Sequence, residues 1–134
     1  MITGGFMNVK AIYELEMEKN INMNEYVPDA WVLLRFESKD TEPIYKILGG
    51  WYGGYAGSDS WRLCSGIERI ELIGDVYHVH NYSGSVYTCH KDIQRFSGLM
   101  NSMLASWLDM ADKKPEQEIK IEVIDMGEYY VQTK

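Results

Sequence analysis

A chain of 134 residues, 46% hydrophobic and 25% charged, has the size and balance of one soluble globular domain, and its 10 Tyr and 4 Trp argue against a disordered chain. A formal charge of −7 opposes a phosphate backbone, which argues against nucleic acid as a direct ligand and favours, where a protein partner is engaged, a basic surface. Two cysteines without CxxC spacing demand no oxidising compartment, no basic leader precedes an apolar stretch, and the longest clean apolar run, "WVLL", is too short for a membrane span, so the expected location is the cytoplasm.

Met1, Met7, Met17 and Met23 all precede the first convincing core segment, "AWVLLRF" from Ala30 to Phe36, so residues 1–24 read as an N-terminal extension and residues 25–134 as a single α+β domain. Within the extension "VKAIYELEME" fits a strand by alternation and a short helix by the spacing of Ile12 and Leu15, and so short a run leaves both open.

From Trp31 onward short apolar segments alternate with turn residues: "WVLLRFES", "IYKILGGWY", "SWRLCSGIERIELI", "VYHVHN" and "SVYTCH". This is the pattern of an antiparallel β-meander. In "DIQRFSGLMNSMLASWLDMADKK", Ile93, Phe96, Met100, Met103, Leu104 and Trp107 recur at helical spacing, with Asp92 as a possible N-cap and Gly98 delaying the start towards Ser97. "EIKIEVIDM" then alternates as a half-buried strand. The expected fold is α+β, an antiparallel β-meander sheet with one main α-helix packed on one face.

All three histidines and one cysteine fall within "VYHVHNYSGSVYTCH", Val76 to His90. A three-residue loop Tyr82-Ser83-Gly84, with only Gly84 left-handed, pairs Val79 with Tyr87 and Tyr77 with Cys89, and a tight Gly74-Asp75 turn pairs Ile70 with Val79. Ile70, Leu72, Tyr77, Val79, Tyr87 and Cys89 then share one apolar face, expected to contact Phe96, Met100, Met103, Leu104 or Trp107 of the helix. His78, His80 and His90 fall on the other face with Glu71, Arg69 and Thr88, an arrangement similar to zinc sites drawn from adjacent strands. Arg69 opposite His80 opposes a cation, and a Glu71–His78 cross-strand pair explains the same residues, so no cofactor or tightly held metal is expected; a metal, if any, would use His78, His80, His90 and Glu71. Cys89 reads as a small core hydrophobe, Cys64 sits in no nucleophile motif, and no GxSxG or HExxH signature is present, so the balance is against an enzyme.

"GGWYGGYAGSDSW", Gly49 to Trp61, holds five glycines and four large aromatics but neither a Walker loop nor GxGxxG. Its glycines suit bends or close backbone approach, and its rings either fill the core of a curved sheet or, if two or more are exposed together, form a recognition patch. Trp51, Tyr52, Tyr55, Asp59 and Trp61 are the candidate binding residues.

Over Glu25 to Ser106 the segments "EYVPDAWVLLRF", "YKILGGWYGGYAGSDSWRLCSGI" and "VHNYSGSVYTCHK" resemble small accessory proteins of tailed bacteriophages, a family without an established active site. The resemblance implies a phage or prophage origin and, by analogy, binding of a host protein in host takeover or anti-defence, inside the infected or lysogenic cell. A module that binds or sequesters a small ligand or nucleotide is the alternative, followed by a metal-dependent enzyme and a minor virion component.

Overall fold

The computed structural model describes residues 24–53 and 57–133. The stretch "VKAIYELEME" and Tyr55 lie outside the described residues. Among the described residues eight strands, β1 (Glu25–Tyr26), β2 (Ala30–Glu37), β3 (Ile44–Trp51), β4 (Ser60–Leu63), β5 (Ile67–Ile73), β6 (Val76–Asn81), β7 (Val86–His90) and β8 (Lys120–Ile124), accompany two helices, α1 (Gly98–Asp112) and α2 (Met126–Thr133). The strands divide between two sheets, ordered β1-β7-β6-β5 and β4-β3-β2-β8, antiparallel except where β1 joins β7. The fold is α+β, with the main helix α1 on one sheet face.

β2 organises the layers. Ala30 through Leu34 are buried in succession, so this strand is covered on both faces, which is why it reads as a continuous apolar run rather than an alternation. Trp31 and Leu33 enter an inner cluster with Ile47, Tyr77, Val79, Tyr87, Cys89 and Met126, between the two sheets. Ala30, Val32 and Leu34 enter an outer cluster with Leu48 and Met100, into which Phe96 and Trp107 pack.

The hairpin register expected from turn chemistry is the one observed: Ile70↔Val79, Val79↔Tyr87 and Tyr77↔Cys89, with Gly84 and Gly74 both at positive φ. The expected contact of that apolar face with the helix is not. The face packs on Trp31, Leu33 and Ile47 of the second sheet, while α1 covers that sheet's far side. A strand as apolar on both faces as β2 needs two covers, and the hairpin supplies one and the helix the other.

α1 starts at Gly98. Its N-cap is Ser97, whose Oγ accepts from the Met100 amide at 3.1 Å while the Ser97 N–H donates to Met100 Sδ at 3.4 Å, a capping box closed by a thioether. Asp92, the other possible cap, lies in a 3₁₀ turn over Lys91–Ile93. α2 was not foreseen. Asp125 Oδ2 accepts from the Glu128 amide at 3.0 Å, Met126 is fully buried, Tyr129 stacks on Tyr45 at 4.3 Å and Tyr130 meets Tyr77 edge-on at 5.7 Å. This helix closes one end of the inner cluster.

The paired glycines of β3 permit close approach on opposite faces. A Cβ on Gly49 would lie 3.2 Å from Pro28 Cβ, and one on Gly50 would lie 2.6 Å from Met100 Sδ and 3.0 Å from Ser97 Oγ. Gly50 therefore seats the capped first turn of α1. Gly50→Ala is expected to displace Met100 from its cap and destabilise the protein by roughly 1–3 kcal/mol, as overpacking does; a urea melt unchanged from wild type would show that the helix start yields freely.

Candidate functional site

The histidine face lies on the side of the first sheet turned away from the second. Glu71 Oε1 sits 2.8 Å from His80 Nε2 and 3.2 Å from Arg69 Nη1. The Cα register sets His78 opposite Glu71, yet the carboxylate reaches the diagonal neighbour, so the expected Glu71–His78 pair is replaced by an Arg69–Glu71–His80 chain. The His80 hydrogen bond, and next the Arg69 guanidinium, hold the Glu71 carboxyl below its usual range. Its contribution to stability is present above the unfolded carboxyl pKa and fades as pH falls through the folded value, and exposure keeps it small. His90 is exposed at the end of β7, where its carbonyl accepts from the Trp31 indole. Among the described residues no group of three His, Cys, Asp or Glu is placed to hold a metal.

The aromatic loop joins β3 to β4 and divides its rings between faces. In the ladder Trp51 opposes Ser60 and Trp61 opposes Gly50, so the two indoles point to opposite sides of the sheet. Trp51 is half-buried on the inner side, its Nε1–H donating to the Val27 carbonyl at 2.9 Å and its ring 6.3 Å from Tyr26. Trp61, 37% exposed, meets Trp107 of α1 edge-on at 5.5 Å. Tyr52 is 45% exposed, with its amide bound to Asp29 Oδ2. Asp59 Oδ1 accepts from the Gly53 amide at 2.9 Å, which braces the loop.

Inward of Trp51 the ring series runs on into a cleft. β1 and β4 are edge strands of different sheets and meet there, with the Arg62 guanidinium 4.5 Å from the Tyr26 ring centroid. Tyr26 lies 5.1 Å from Tyr87, and together they line an opening of about 330 Å³ whose polar wall is Ser65, Ser83 and Ser85. Those serines are held in place by hydrogen bonds within and between the two turns that carry them: the Ser83 amide donates to Ser65 Oγ at 3.2 Å, Ser83 Oγ and Ser85 Oγ are 3.2 Å apart, and Asn81 Nδ2 donates to Ser85 Oγ at 3.1 Å.

Arg62 is the single formally charged side chain among the described lining residues, in a chain of net charge −7. A guanidinium fixed over a ring, beside hydroxyls that can donate, is chemistry for an anionic group next to a flat or apolar one. None of these cleft residues was a binding candidate from sequence: Cys64 was weighed as a nucleophile, Tyr87 as core and Ser83 as a turn residue. The available signal was parity: in "SWRLC" Arg62 shares the inward side with Cys64, and a charged residue on a core-facing parity of a strand calls for a partner.

Neither thiol is poised for attack. Burial pushes Cys64 and Cys89 up from the ordinary thiol range, and Cys64 Sγ already accepts from the Ile47 amide at 3.1 Å. Burial likewise keeps the Tyr87 hydroxyl protonated, as a donor. Iodoacetamide at pH 8 is expected to leave both cysteines of the native protein unlabelled and to label both in guanidinium chloride; rapid labelling of native Cys64 would show the cleft open to its floor.

No protein-family model, no curated protein and no solved structure was found to match this chain.

Proposed function

We propose that the protein acts by binding, and that its cleft between β1, β4 and the Tyr82–Gly84 turn takes a small anionic ligand bearing a ring, such as a nucleotide or an aromatic acid. The observation that carries this reading is Arg62, held on Tyr26 as the lone charge among the described residues of a cleft lined by serine hydroxyls and tyrosine rings. The volume suits a small molecule at the lower end of known sites. The described lining residues include no His, Asp or Glu to act as a general base, which favours holding or sequestering a ligand over turning it over. Arg62→Ala removes a charge-assisted contact worth roughly 1.5–3 kcal/mol, about 10- to 100-fold in affinity, and should leave the fold intact because Arg62 is exposed. The check is a thermal-shift panel of nucleotides and aromatic acids, with mass spectrometry of the supernatant from denatured protein; if no anion stabilises wild type more than Arg62→Ala, the reading fails.

Binding of a host protein by a phage-encoded accessory protein is the second reading, supported by the exposed rings of Tyr52 on the β3–β4 loop and Trp61 in β4. Tyr52 is the cleaner probe, since Trp61 also packs on Trp107. On this reading Tyr52→Ala abolishes capture of a host protein from infected-cell lysate without moving the melting temperature by more than a few degrees; full capture by the variant would remove the loop from the interface.

A further inference from the structure

β8 ends its sheet. Among the described residues it pairs with β2 alone, so its other side presents unpaired backbone N–H and C=O groups, which native proteins cover or protect. Exposed apolar side chains gather on the helix side of this edge. Val123 is 52% exposed and Met110 of α1 is 57% exposed, and between α1 and the edge a groove of about 210 Å³ is lined by Trp107, Met110, Ala111, Ile119 and Ile121.

We infer that β8 is the interface of a two-fold homodimer, in which two copies pair antiparallel edge to edge and join their sheets into one of eight strands. The sequence of the edge is self-complementary: Ile119, Lys120, Ile121, Glu122, Val123. Keeping both α1 helices on one face of the joined sheet requires residues of like parity to oppose each other. A register centred on Lys120 sets Lys120 against its own copy, and one centred on Glu122 sets Glu122 against its own copy. The register centred on Ile121 opposes Lys120 to Glu122 twice, Ile119 to Val123 twice, and Ile121 to itself.

Lys120 is available for this, and Glu122 can share its carboxylate between Arg35 and a second cation. Glu122 is more than half exposed and reaches Arg35 Nη1 at 2.9 Å through Oε1, while Arg35 is also held by Glu37 at 3.0 Å. Lys120 has no carboxylate partner among the described residues of its own chain. Pairing would extend the row Glu37–Arg35–Glu122 to the second copy's Lys120 on one face, and on the other face would lay Ile119 and Val123 across the grooves beside Met110. An unrelated partner offering an apolar strand would satisfy the backbone equally, but it would not need the palindromic charge order.

Sedimentation velocity on the full chain over a concentration series is expected to show a monomer–dimer equilibrium. Lys120→Glu places like charges opposite each other, and so does Glu122→Lys, so each variant should raise the dimer dissociation constant at least tenfold. An equimolar mixture of the two opposes unlike charges again and should form a heterodimer in native mass spectrometry. Val123→Glu, at an exposed position where folding has little at stake, should also give monomer. Wild type that stays monomeric at every concentration, or a Lys120→Glu variant that dimerises like wild type, would overturn the inference. So would failure of the mixed variants to associate while each melts cooperatively.

Discussion

The Trp31 indole N–H donates to the His90 carbonyl at 2.7 Å, and the rest of the architecture depends on that bond. Trp31 is fully buried on the central strand, its ring edge-on to Tyr77 of the opposite sheet at 6.1 Å. His90 ends β7 in that opposite sheet. The chain then passes Trp31 again, Gln94 forming a parallel bridge with it and the Arg95 amide donating to the Trp31 carbonyl at 2.9 Å, before Ser97 caps the helix on the far side. One residue thus holds the inner cluster, the end of the hairpin sheet and the crossover to the outer layer. Leaving the buried indole N–H of such a bond unpaired costs roughly 1–3 kcal/mol.

That crossover sets what the two sheet borders present. Beside Trp31 the Gln94–Arg95 segment occupies the side of β2 that β8 takes from Leu33 onward, so β8 begins a new border with no strand beyond it among the described residues. At the other border β1 is only two residues long and β4 only four. Among the described residues such short edges leave the space between the sheets open there, and Arg62 and Tyr26 stand at its mouth. Among the described residues, then, the border at β1 and β4 opens as a cleft, and the border opposite it is formed by the edge strands β5 and β8.

Much of the hairpin was legible because its constraints are local. Gly84 and Gly74 select turn geometries, turns select register, and register sorts Tyr77, Val79, Tyr87 and Cys89 from His78 and His80 without reference to the rest of the chain. The partner of Glu71 was not legible, since the choice between His78 and His80 lies in sheet twist and rotamer and not in register. Nor was the cleft, whose lining is drawn from β1, β4, β7 and two turns, with Tyr26 and Arg62 far apart in the chain. The aromatic loop was singled out as a unit, but ladder parity sends Trp51 and Trp61 to opposite faces, so its rings serve two different surfaces.

The sequence by itself determined the antiparallel strands, the helix that begins next to Ser97, the faces of the hairpin and the absence of a recognisable nucleophile motif, because periodicity, turn residues and caps act over a few residues. Tertiary structure alone decided that the strands form two sheets, that the hairpin packs on β2 while the helix covers its far side, and that Arg62 meets Tyr26. The run from Ala30 to Leu34 required burial on both faces but could not say which element would cover which, since the hydrophobic effect rewards any apolar cover equally and only chain connectivity, through Trp31 and the crossover after His90, selects one.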